Sequence, residues 1–285
     1  MASVHVDLDG AWAADSLDIP TLDQRSWGPR LRYAAPGKLI DEFDRTLPAD
    51  LGPFVLLGSG DFHHLAALWL RRAIARLQSP SDLTLISFDN HPDWDIRPPK
   101  WGCGGWINRA LEFPAVAQAH VWGCGNFELQ MPARFWANRR AIKSKRLIVH
   151  PWSERQPDSV CRKFPCMTRD NWRPQFEKLA NQLKGKPVYV TIDMDCLRAV
   201  EARTNWENGL FTAQDIAWAV RLLRQTTQLI AGDLCGAFSI PEYSRPFQRF
   251  IGRWDHPKLP GCTPEEARKR NVDSLKIIWP ALARE

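Results

Sequence analysis

Residues 83–95, LTLISFDNHPDWD, decide how this chain is read. The run 83–88 is apolar or β-branched without alternation, which predicts a strand buried on both faces, as in a parallel sheet covered by helices. Asp89, His91 and Asp93 follow it, and in an extended segment residues i, i+2 and i+4 point to the same side. The three side chains are therefore predicted to converge. Pro92 lacks an N–H and resists continuing a central strand, so the chain is predicted to leave the sheet there. In open parallel sheets, ligand sites lie beyond the carboxyl ends of the strands.

The same arrangement recurs further along. Asp193 and Asp195 end the run PVYVTIDMD and share a face, and Gly58-Ser59-Gly60-Asp61-Phe62-His63-His64 follows the run FVLL and precedes a helical pattern. The glycines could suggest a phosphate loop, but no GK[ST] follows. Carboxylates buried at strand ends are costly unless compensated, and bound cations compensate them. The bland alternative is helix caps or surface acids, and it fits a lone Asp better than DxHxD and DxD placed after two buried strands. Four Asp side chains carry −4, which two divalent cations balance. Oxygen ligands with some imidazole suit Mn²⁺, or Fe, Co or Ni, better than a thiolate zinc site. Two ions sharing carboxylates sit about 3.5–4 Å apart and can hold a bridging hydroxide.

Around these motifs, strands are expected at 4–8, 54–57, 83–88, 120–122, 146–149, 188–192 and 229–234. Helical spacing appears at 65–77, 105–111, 176–183 and 213–223, the last with Thr212 as N-cap and Asp215 as a capping-box partner. Alternating strands and helices predict a three-layer α/β/α fold around a mainly parallel sheet. Residues 124–175 show weak periodicity, and 241–264, with five prolines, is expected to be a long surface excursion. With 285 residues and no convincing linker, the expectation is one domain over 1–285.

Composition narrows the class further. The seven cysteines are odd in number, scattered and free of CxxC spacing, which argues for a reducing compartment, against a disulfide framework and against structural zinc. The net charge of +6 is spread along the chain, so no nucleic-acid partner is expected. No apolar run approaches the ~20 residues of a membrane span, and the first residues lack a signal pattern. A cytoplasmic protein is the default.

Taken in order, GSGDFHH, DNHPD, TIDMD and NWENGLFT (205–212) resemble the motifs of the arginase/agmatinase (ureohydrolase) family, over roughly residues 54–240. The resemblance implies an arginase/deacetylase-like fold, two divalent ions of the manganese type, and bridging roles for Asp89 and Asp193. One ion would add His63 and Asp93, the other His91 and Asp195. An alignment with an insertion would use His64 in place of His63. The resemblance also leaves room for a homo-oligomer.

The departures from the pattern bear on activity. Cys103 stands where the family has a proton-shuttling His, and Gly236 stands where it has a guanidinium-gripping Glu in a DxxE segment; the aspartate after DxDxxDP is also lost, at Leu197-Arg198-Ala199. Asp95 and Cys103 are the candidate proton carriers. Glu207, which matches a family glutamate, and Trp106 are the candidate substrate contacts; Glu242, Trp94, Trp101 and Trp206 are further acids and aromatics flanking the motifs. The function implied is a hydrolase cleaving a C–N bond of a guanidino, amidine or related compound through the bridging hydroxide. The alternatives are a non-catalytic metal-binding pseudoenzyme on the same scaffold and a single-zinc deacetylase-like amidohydrolase.

Overall fold

The computed structural model describes residues 3–12, 18–77, 82–259 and 261–283. Among them the chain forms β1 (Ser3–Asp7), β2 (Thr21–Asp23), β3 (Phe54–Leu56), β4 (Leu83–Phe88), β5 (Val116–Cys124), β6 (Leu147–Pro151), β7 (Pro187–Asp193) and β8 (Gln228–Cys235). They build one sheet in the order β2-β1-β3-β8-β7-β4-β5-β6, and every pairing is parallel. The helices are α1 (Gly28–Leu31), α2 (Gly37–Thr46), α3 (Ala66–Ala75), α4 (Trp106–Ala110), α5 (Arg139–Lys143), α6 (Asp158–Cys161), α7 (Trp172–Gln182), α8 (Ala213–Thr226), α9 (Pro246–Asp255) and α10 (Pro264–Ala283). This is the expected three-layer α/β/α architecture.

The unalternating apolar runs are explained by the two cores they feed. Leu83 and Leu85 of β4 pack with Ile40 and Phe43 of α2, Trp69 of α3 and Ile107 of α4. Ile86 and Phe88, pointing the other way, pack with Phe176 of α7, Ile216 and Val220 of α8, and Leu275 and Ile278 of α10. Each such side chain contributes roughly 1.5–3 kcal/mol on burial, so a strand with apolar residues on both faces is held between two helix layers. Helix α8 starts at Thr212, whose side chain accepts from the Asp215 backbone while Asp215 caps the Thr212 N–H, completing the expected capping box.

Two regions differ from the sequence-based expectation. The segment 241–264 is not all irregular: α9 begins at Pro246, which occupies the first turn, where a missing N–H costs nothing. The short edge strand β2, mostly exposed and three residues long, gave no apolar run to read.

The strand order positions the site. The chain leaves β4 toward β5 on one side and leaves β7 toward β8 on the other, yet β4 and β7 are neighbours, with Phe88 opposite Ile192. The connections diverge there and open a crevice at the carboxyl ends of these two strands.

Candidate metal centre

Asp89 and Asp193 stand side by side at this crevice, and both turn the chain by the same device. Oδ1 of Asp89 accepts the His91 N–H at 2.7 Å, and Oδ1 of Asp193 accepts the Asp195 N–H at 2.9 Å. These are Asx-type turns. They, rather than the alternation of extended chain, bring residues i and i+2 together. Asp93 is reached through a left-handed residue (φ 44°), its own, an unfavourable conformation for a non-glycine residue. Helix α4 holds it there: Trp106 Nε1 donates to Asp93 Oδ2 at 2.6 Å, and the Ile107 N–H to the Asp93 carbonyl at 3.3 Å.

His63 comes from a 3-10 turn, Gly60–Leu65, directly after β3. Gly60 permits the approach, because a Cβ there would lie 2.6 Å from Asp193 Oδ2. Nδ1 of His63 faces Asp89 Oδ2 and Asp93 Oδ2 at 3.2 Å each and Asp193 Oδ2 at 3.6 Å. On the far side of the ring, Nε2 meets Thr191 Oγ1 at 2.9 Å; Thr191 and Tyr189 in turn donate to Asp233 at 2.8 and 2.5 Å. His91 Nδ1 lies 2.8 Å from Asp195 Oδ2 and 3.6 Å from Asp89 Oδ1, and its Nε2 lies 3.4 Å from Glu207 Oε2. His64 is buried with both ring nitrogens unpartnered. Of the two histidines left open by the sequence, His63 is therefore the one brought to the carboxylates.

Among the described residues, three groups present ligand-type atoms within 4.8 Å of one another: His63, Asp89 and Asp93; Asp89, His91 and Asp195; and His63, Asp193 and Cys235. Cys235 was not anticipated; its thiol donates to Asp193 Oδ2 at 3.4 Å.

Electrostatics show what these residues lack on their own. Burial and then Asp89 push the Asp93 carboxyl up to about 7 and that of Asp195 up to about 7, and burial and then Asp195 push Asp193 up to about 8. Burial opposes protonation of His63 and His91, yet the facing carboxylates raise both well above the usual imidazole value. Asp89 Oδ2 is buried and accepts no hydrogen bond. Four buried carboxylates crowded onto two imidazole nitrogens fit divalent cations, which would hold the acids ionised and the imidazoles neutral.

The other residues named from the sequence are placed as follows. Cys103 lines the cleft beside these side chains, and burial pushes its thiol up well above the ordinary value. Asp95 pairs with Arg97 and lines an adjoining vestibule. Trp106 is fully buried; it holds Asp93 and packs its ring against that of His63, with centroids 4.8 Å apart. Glu207 stands at the rim beside His91, its side chain 45% exposed. Trp206 lines the cleft, its ring and that of His91 meeting in a T-shaped contact with centroids 5.4 Å apart. Trp94 is in the core, Trp101 packs against it, and Glu242 is exposed. Gly236 has φ +101°, and a Cβ would fall on Asp193 Oδ1 and the Met194 nitrogen, so this backbone excludes any side chain there.

Two acids of the cleft escaped sequence reading, Glu128 and Asp255. Glu128 sits four residues past β5, and its Oε2 is closed off from solvent without a partner. Burial pushes its carboxyl up to about 7. Glu128 does not follow the strand directly, as Asp89 does, but lies in the 3-10 turn Phe127–Leu129 beyond it. Asp255 ends α9 and accepts from Tyr33 at 2.8 Å; no local signal ties it to the distant ligand motifs. Beneath the cleft, Asp61 is fully buried and accepts from Arg32 and His256, each at 2.7 Å, and from Trp206 at 3.2 Å.

No protein-family model matches the chain, and no curated protein matches it by sequence. Solved structures do match. Formimidoylglutamase from Bacillus subtilis subsp. subtilis str. 168 aligns over 99% of this chain and 87% of its own, with a TM-score of 0.55 and 14% identity. Arginase from Medicago truncatula aligns over 98% and 85%, with a TM-score of 0.53 and 17% identity. Proclavaminate amidino hydrolase from Streptomyces clavuligerus aligns over 97% and 92%, with a TM-score of 0.52 and 13% identity. The chain thus has the fold of solved ureohydrolases, as the motif resemblance implied. Among the described residues no helix is long and apolar enough to cross a membrane.

Proposed function

We propose that this chain is a dinuclear metal-dependent hydrolase, one domain over 1–285, that cleaves a C–N bond of a guanidino, amidine or related small molecule. His63, Asp93, Asp89 and Asp193 would hold one ion, and His91, Asp195 and Asp89, with Asp193 as the family resemblance implies, would hold the other; manganese is the metal best suited to these donors. The observation that carries the reading is the division of Asp89: Oδ2 lies 3.2 Å from His63 Nδ1 and Oδ1 lies 3.6 Å from His91 Nδ1. One carboxylate thus serves two imidazole-centred groups. A single-zinc centre leaves the His63 and Asp93 half without a role. The solved relatives of this fold include an arginase and an amidino hydrolase by name, which supports the substrate class.

Divalent ions, when bound, make a water nucleophilic near neutral pH and polarise the electrophile. The chain's own residues do the remaining work. Thr191 and Asp233 fix the His63 ring so that Nδ1 faces the carboxylates, as outer partners of ligating histidines do. Trp206 covers the His91 side. Glu128 faces the cleft with its carboxyl pushed up to about 7, so it can accept a substrate N–H and, in its protonated form, protonate a leaving amine. Cys103, held as a neutral thiol, is the poorer acid at neutral pH.

The test is metal content together with turnover. Protein purified without chelator and reloaded with Mn²⁺ should carry about two ions per chain. It should release urea, ammonia or amine from at least one member of a guanidino and amidine panel. A second reading, a metal-binding pseudoenzyme, is favoured by Cys103 and by the steric exclusion of a side chain at Gly236. Two bound ions that stabilise the protein while every panel member stays intact would select it.

A further inference from the structure

We infer that the ligand of this centre carries an apolar body, alkyl or aryl, behind its cationic head; the inference rests on the proposed hydrolase reading and names the substrate class within it. The cleft holding the metal-binding side chains adjoins a second cavity, a wider vestibule, and shares Cys103, Gly104, Glu128 and Asp255 with it. One wall of that vestibule is α9, which presents Phe247, Phe250 and Trp254, 67%, 71% and 78% exposed, together with Ile251. Their spacing of three, one and three puts them along one stripe of the helix.

These aromatics are exposed on a helix that is firmly docked. On its other face Gln248 is buried and donates to the Arg32 carbonyl, and Gly252 is packed so closely that a Cβ would lie 2.6 Å from the Tyr243 hydroxyl. At its end Tyr33 binds Asp255, and His256 binds Asp61 at 2.7 Å, two residues from His63. Fraying does not account for the exposed stripe. Three large aromatics side by side in water form an apolar patch of the kind that marks a binding surface.

The occupant follows from where the patch leads. Glu128, with a carboxylate oxygen closed from solvent and unpartnered, and Asp255 stand where the vestibule meets the cleft. A head bearing N–H groups and positive charge would pass these two acids to reach the carbon-attacking position, leaving its tail along Phe247, Phe250 and Trp254. A short polar compound would leave that wall wet.

A homologous series of n-alkylguanidines, methyl to octyl, tests this on Mn²⁺-loaded protein by calorimetric Kd and, separately, by urea and amine release. Burial of one methylene changes affinity about fourfold when complete, so Kd should fall roughly two- to fourfold per carbon beyond the first few. The slope should flatten in Phe250→Ala and Trp254→Ala and persist in Ile240→Ala, which is 65% exposed but outside the vestibule. Tail-dependent binding without any turnover would sustain the inference and count against the hydrolase reading alone. A flat series in the unaltered protein overturns the inference, as does a slope that survives both substitutions. Loss of self-association in Trp254→Ala with an unchanged slope also overturns it, because a second copy of the chain would then be what covers α9.

Discussion

Two pairs of histidines in this molecule have opposite fates. His63 and His91, at the tips of β3 and β4, are raised well above the usual imidazole value by facing carboxylates, although burial alone would lower them. His120 and His150, on β5 and β6, are lowered by burial, His120 to about 4, and His150 further by His120 itself. The second pair meet each other at 3.1 Å, and His150 lies flat on Trp122 with ring centroids 3.7 Å apart. Three of the four are buried and His91 is mostly so, its side chain 14% exposed. What differs is the neighbour: carboxylates turn one pair into cation-seeking donors, while aromatic rings leave the other as neutral packing.

The strongest way to break this contrast is to remove the acid shared by the first pair. Asp89→Ala deletes the oxygens that face both His63 and His91. Manganese content, by elemental analysis after equilibration in excess metal, should drop from about two ions per chain to less than one. Affinity should fall by more than the roughly 10–100-fold typical of an outer partner. Metal-dependent gain in melting temperature should vanish with it, since the gain follows occupancy. Two ions retained at unchanged affinity would mean that the carboxylates are not what distinguishes the pairs.

A milder intervention leaves every metal-facing atom in place. Asp233 is fully buried and accepts from Tyr189 and Thr191, and Thr191 in turn meets His63 Nε2. Asp233→Asn keeps the shape and removes the charge that orients this chain of hydrogen bonds. Manganese affinity should weaken by roughly 10–100-fold with the fold intact. An affinity within a factor of two of the starting protein would reduce the Tyr189–Asp233–Thr191 column to packing.

How much of this could be read in advance depends on how local each signal is. The sheet was legible because β4, β7 and their neighbours are continuous apolar runs, a pattern imposed by two covered faces. Asp89, His91, Asp93, Asp193 and Asp195 were legible because they follow those runs directly. The means of their convergence was not, since Asx turns and a left-handed Asp93 replace the extended geometry that the i, i+2 count assumes. Cys235 was hidden inside β8, where apolar neighbours make it look like an ordinary core position, and Asp233 was read only as the start of the DxxE-like segment. Helix α9 was masked by prolines that in fact start and follow it. Asp255 reaches the cleft only through the docking of that helix, a relation between distant segments that local pattern does not carry.

The smallest expected effect lies with the second histidine pair, and there the prediction is about pH. A buried imidazole whose folded value lies below its unfolded one is neutral in the native state and takes up a proton on unfolding. The stability it contributes is complete above the unfolded value of about 6.5 and is lost as pH falls toward the folded one. Between pH 6.5 and 5.5, His120 should therefore cost the native state about 1 kcal/mol. His120→Gln removes that contribution, so its unfolding free energy by urea denaturation should fall less over this interval than that of the unaltered protein. Manganese content should be unchanged, because no carboxylate is among the influences on His120 or His150. Equal pH slopes in the two proteins, or a loss of metal on altering His120, would show that the ring-stacked pair is not the inert counterpart of His63 and His91.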